Sequence, residues 1–90
     1  MNEKEIEKKI NLLRKILILW YNVKYKIEVC DFGDYWIIGN DVDFPMLNDF
    51  IEIERNFVNG INPSADDMKT MNDYYKTCLA SPRVRKVFTL

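Results

Sequence analysis

Ninety residues suffice for one small domain and not for two, and a chain that is 48% hydrophobic and 13% aromatic can fill a core, which excludes a disordered linker. The formal charge of −1 conceals a segregation: residues 27–54 hold eight acids (Glu28, Asp31, Asp34, Asp41, Asp43, Asp49, Glu52 and Glu54) and no base. The flanks are basic, with seven bases against three acids in residues 1–26 and six against three in residues 55–90.

Histidine is absent, which removes the commonest general base, the usual partner of a Ser or Cys nucleophile and the commonest metal ligand. No other catalytic or cofactor signature stands in for it, so the expectation is a non-enzyme with no catalytic residue, no cofactor and no metal. Cys30 and Cys78 match no zinc or redox spacing and read as buried thiols, with a bridge between them as the alternative. The apolar run at residues 16–21 is too short to span a bilayer and no cleavage site follows it, so a cytoplasmic protein is the default. Frequent Ile, Asn and Lys beside only two Ala point to an AT-rich genome, as in many bacteria and their phages.

In chain order, residues 3–20 read as a helix. Asn2 caps it, Glu5 answers three residues on, and Ile6, Ile10, Leu13, Leu17 and Trp20 recur at spacings of three and four. That stripe suits a central helix wrapped by the domain. A homodimer seam through Ile6, Ile10, Leu13 and Leu17 is the less favoured alternative. Residues 24–30 alternate as a half-buried strand, Asp31-Phe32-Gly33-Asp34 forms a turn, and Tyr35–Ile38 returns.

Pro45 opens a second helix whose stripe is Leu47, Phe50, Ile51, Phe57 and Val58, and Asn59-Gly60-Ile61 ends it. A third helix starts either at Ser64, which has capping-box spacing to Asp67, or at Asn62 with Pro63 first, and buries Met68, Met71, Tyr75 and Cys78. Residues 83–90 fit either a short helix or a third strand; the strand is favoured because it would cover a hairpin edge. The expected class is therefore α+β: an N-terminal helix, an antiparallel hairpin, two further helices and a short C-terminal strand, in one domain over residues 1–90.

Two constellations are weighed for chemistry. Arg83, Arg85 and Lys86 beside Phe88 offer a nucleotide or nucleic-acid contact, though three bases are few for that task. The acidic stretch reads either as ordinary solvated surface or as a face for a basic partner, to which it would give fast, steered association. On the second reading Asp31, Asp34, Asp41, Asp43, Asp49 and Glu52 carry the contact.

The order helix, hairpin, helix, helix over residues 3–79 resembles small acidic phage proteins that block CRISPR nucleases by imitating nucleic acid. The likeness is carried by Tyr35–Ile38, the acidic loop after it, the helix over residues 47–58 and the Asn59-Gly60 stop. This chain lacks a third strand between the first two and has a basic first helix, so no binding residue is carried over. The resemblance implies a non-enzymatic inhibitor or modulator of a basic, nucleic-acid-binding host protein.

Overall fold

The computed structural model describes residues 2–25, 29–32, 35–38 and 45–88, with side chains at 2–24 and 46–88. Four helices carry the fold: α1 (Glu3–Tyr25), α2 (Pro45–Val58), α3 (Ala65–Leu79) and α4 (Pro82–Phe88). Between α1 and α2 lies a short antiparallel pair, β1 (Val29–Phe32) with β2 (Tyr35–Ile38), in the register Val29↔Ile38 to Phe32↔Tyr35.

The expected α+β class is corrected to a helical domain. The four helices share one core: Ile6, Ile10, Leu13, Ile16, Leu17, Trp20 and Tyr21 on α1, Leu47, Phe50 and Ile53 on α2, Met71 and Cys78 on α3, and Val84 on α4. Four extended residues a side form no layer on which a core could rest. Helix packs on helix.

α1 runs five residues beyond the expected end, so the strand expected at residues 24–30 is replaced by the last helical turn and a later β1. Ile16, Leu17, Trp20 and Tyr21 share one helical face and are all buried, and that burial outweighs the β-branched and aromatic bias of the segment. The helix starts where Asn2 Oδ1 accepts from the Glu5 N–H at 2.9 Å. Near its other end Lys24 Nζ stands 4.7 Å from the Trp20 ring, which meets Tyr21 edge-on with centroids 4.9 Å apart.

α2 closes in a Schellman motif. The Gly60 N–H donates to Phe57 O at 3.0 Å and the Ile61 N–H to Asn56 O at 2.8 Å, with Gly60 at φ 87°. The backbone closes as expected, but the Ile61 side chain does not fold back; it is 59% exposed. α3 begins with a full capping box, in which the Asp67 N–H donates to Ser64 Oγ at 3.1 Å and the Ser64 N–H to Asp67 Oδ2 at 3.2 Å.

The C-terminal strand is also corrected. Pro82 occupies the first turn of a helix, where its missing N–H has no partner to lose, and the Arg85 N–H donates to Ser81 O at 2.9 Å. Helical pitch buries Val84 and packs Phe88, four residues on, against the core. The Tyr75 hydroxyl donates to Lys9 O at 2.8 Å and ties α3 to α1.

Candidate functional site

α2 lies between two recesses of different chemistry. Asp49, Glu52, Ile53 and Asn56 recur at three- and four-residue spacing and so share one helical face. Together with Asp67 and Thr70 of α3 they line a shallow recess of about 300 Å³. No lysine or arginine is part of that lining. Asp49 Oδ2 accepts from the Tyr74 hydroxyl at 2.7 Å, a neutral donor that fixes the carboxylate without cancelling its charge. Asp67 is held by its own cap.

The opposite flank of α2 faces α1. There Glu7, Ile10, Asn11 and Arg14 meet Ile51, Glu54, Arg55, Phe57, Val58 and Asn59 around a recess of about 430 Å³. Arg14 donates to Glu54 Oε1 at 2.8 Å, with the two side chains 16% and 12% exposed. The remaining wall is mixed, with Ile10, Ile51, Phe57 and Val58 beside Glu7, Asn11, Arg55 and Asn59, and Val58 at its rim is 67% exposed.

Of the expected contact residues, Asp49 and Glu52 are exposed on α2 and stand together. Asp31 lies on β1 opposite Trp36. Asp34, Asp41 and Asp43 lie outside the described residues. Glu54 leaves the acidic surface, because Arg14 answers it from α1. The sequence marks Asp67 as a capping residue at the start of α3; its placement beside Asp49 depends on α3 packing along α2, which no local pattern announces.

The other expected surfaces fare differently. Ile6, Ile10, Leu13 and Leu17 are 7%, 2%, 0% and 0% exposed, so the supposed dimer seam is the inside of the domain. A dimer through them would have to open the core. Arg83, Arg85 and Lys86 are exposed on α4. At about 100° per residue Arg85 points roughly opposite Arg83, so the three cations do not converge on one phosphate.

Burial holds two groups of α3, Cys78 and Tyr75, in their protonated forms. Burial pushes the Cys78 thiol up to about 12, and Cys78 is a free, fully buried side chain. Such a thiol stays protonated and unreactive at neutral pH. Burial likewise pushes the Tyr75 hydroxyl up to about 12. Among the described residues no group of His, Cys, Asp or Glu is placed to hold a metal ion, and no helix is long and apolar enough to cross a membrane.

Comparison with known proteins adds one similarity. The chain is 36% identical over 63 residues to protein sfi1 of Schizosaccharomyces pombe, an alignment covering 63% of this chain and 7% of that protein. The matched region is thus a small fraction of that relative's length. No protein-family model and no solved structure matches the chain.

Proposed function

We propose that this domain is a non-enzymatic, cytoplasmic interaction module that binds a basic protein through the acidic recess between α2 and α3. The observation that supports this reading is the meeting of Asp49, Glu52 and Asp67 from two helices around a recess whose lining has no cation. Uncompensated carboxylates repel one another at low salt, and a basic partner relieves that repulsion while gaining a steered encounter. The partner's own function is then modulated by occupation of its cationic surface, as the resemblance to nuclease inhibitors implies.

The recess suits lysine and arginine side chains, whose long stems reach a shallow site and whose heads pair with carboxylates. The basic helix α1 and the cations of α4 lie outside its lining.

The test is anisotropy of a labelled lysine- and arginine-rich peptide, titrated at 50 and 200 mM salt. Binding is expected to weaken steeply with salt and to be lost in Glu52→Lys. Salt-independent binding, or full binding by Glu52→Lys, would reject the acidic recess as the contact.

A further inference from the structure

The two recesses flank one exposed ridge. Asn48, Glu52, Arg55 and Asn59 follow one another at spacings of four, three and four along α2, and all four are exposed. On one side of that ridge lies the acidic recess. On the other lies the larger one, with Ile10, Ile51, Phe57 and Val58 in its wall. Its charged lining balances, Glu7 and Glu54 against Arg14 and Arg55, so it offers no net attraction to an ion. An uncharged apolar side chain suits it.

Two exposed apolar side chains mark this end of α2. Val58 is 67% exposed, and Ile61 stays 59% exposed although the Schellman closure brings its backbone back to the helix. The contact that usually accompanies such a closure would have hidden Ile61. The fold leaves both outside, and Val58 lines a recess of about 430 Å³, a volume in the range that takes a bulky side chain and its neighbours.

We infer that the partner segment straddles α2, seating a large aliphatic or aromatic side chain in the α1–α2 recess and its lysines or arginines in the α2–α3 recess. This rests on the basic-partner reading above and adds an apolar anchor to it. Charge complementarity chooses the occupant: one recess has balanced charges around an apolar patch of Ile10, Ile51, Phe57 and Val58, the other has carboxylates and no cation. The span follows from helix dimensions. Crossing a helix about 10 Å wide takes a partner helix about seven residues at 1.5 Å each, and residues seven apart lie on the same helical face. The recognised pattern is therefore an amphipathic helix with an apolar anchor one heptad away from a basic cluster, which is the helix-in-groove mode with an electrostatic second point.

The test uses four labelled helical peptides: leucine seven residues from a lysine trio, the same with alanine for leucine, the same with glutamine for the lysines, and leucine moved to three residues from the trio. The first is expected to bind about tenfold or more tightly than the alanine peptide, the scale of burying one leucine side chain. That ratio is expected to persist from 50 to 300 mM salt, whereas the lysine-to-glutamine ratio shrinks. The short-spaced peptide is expected to behave like the alanine one. Val58→Asp, at an exposed position and checked for an unchanged thermal melt, is expected to erase the leucine advantage and leave the lysine effect.

Equal binding of the leucine and alanine peptides overturns the straddling contact, as does failure of all four to bind. If Glu52→Lys still weakens the lysine peptides in the first case, the acidic recess stands without the apolar anchor. If it does not, both readings fall.

Discussion

Helix α2 has one flank against α1 and the other against α3, and its carboxylates meet opposite fates on the two sides. Glu54 turns toward α1 and is clasped by Arg14 at 2.8 Å, in a site where each side chain is less than one-fifth exposed. Asp49 turns toward α3 and receives a phenol hydrogen bond from Tyr74, which leaves its charge in place. Glu52, three residues along, shares the acidic recess. Both flanks hold helices together, but only one neutralises charge in doing so. What a carboxylate does is decided by the group the neighbouring helix presents to it, and its place in a run of acids says little.

The comparison collapses first if α2 itself is lost. Phe50 is fully buried at the middle of the helix, between the two flanks. Phe50→Ala is expected to cost about 3–5 kcal/mol, the transfer term plus an incompletely healed cavity. Urea denaturation would read it as a lower midpoint with both recesses abolished together. A loss below about 1 kcal/mol would mean that α2 is held by its flanks and not by its apolar stripe.

How much of this could be read from residues alone varies with the range of the interaction. The caps at Asn2 and Ser64 and the stop at Gly60 were legible because each is settled within three to five residues. The α1 stripe was legible as a buried face, but its use was not: the same spacing serves a core or a dimer seam, and only the packing of α3 and α4 decides. Residues 83–88 are ambiguous in sequence because Val84 and Phe88 fit either period; the burial of Val84 in the helical core settles it. At the candidate site Asp49 and Glu52 were legible from charge. Asp67 and the removal of Glu54 by Arg14, forty residues away, were not.

Breaking the neutralised flank is expected to be the next largest effect. Glu54→Gln leaves the Arg14 guanidinium facing a neutral amide in a largely buried seam, and about 1–3 kcal/mol of stability should go with it. The double change Arg14→Met with Glu54→Leu is expected to recover most of that loss, since an apolar pair carries no desolvation penalty. Guanidinium-free denaturation at fixed pH would check both. A double variant no better than Glu54→Gln would show that packing, and not the lost ion pair, is what the seam loses.

On the other flank the tie is weaker and depends on pH in a specific direction. Burial, and then the hydrogen bond to Asp49, raise the Tyr74 hydroxyl well above its ordinary 10.0. A raised folded pKa contributes stability in full below the unfolded value, and that contribution is lost as pH rises past about 10 toward the folded value. Tyr74→Phe should therefore cost about 0.5–1.5 kcal/mol at neutral pH, one hydrogen bond's worth. The gap between wild type and variant should narrow as pH climbs above 10. A gap that widens there would mean that the folded domain accepts the phenolate.

The smallest expected effect is the sharpest statement of the contrast. Glu52→Gln is the same chemical change as Glu54→Gln, made two residues away on the same helix, and its sign should be opposite. Glu52 is exposed and shares its recess with Asp49 and Asp67, so removing its charge relieves repulsion where Glu54→Gln takes an ion-pair partner from Arg14. Like charges at helical-neighbour distance cost about 0.2–0.5 kcal/mol per pair, and the gain should be of that order at low ionic strength. It should fade as salt rises toward 1 M, where the screening length falls to about 3 Å, while the Glu54→Gln loss, in a seam that salt reaches poorly, should hardly move. Denaturation of both variants across one salt series would put the two flanks side by side. A Glu52→Gln variant that is destabilised, or whose gain ignores salt, would mean that its carboxylate is answered within the fold, and the acidic recess would then have no surplus charge to offer a partner.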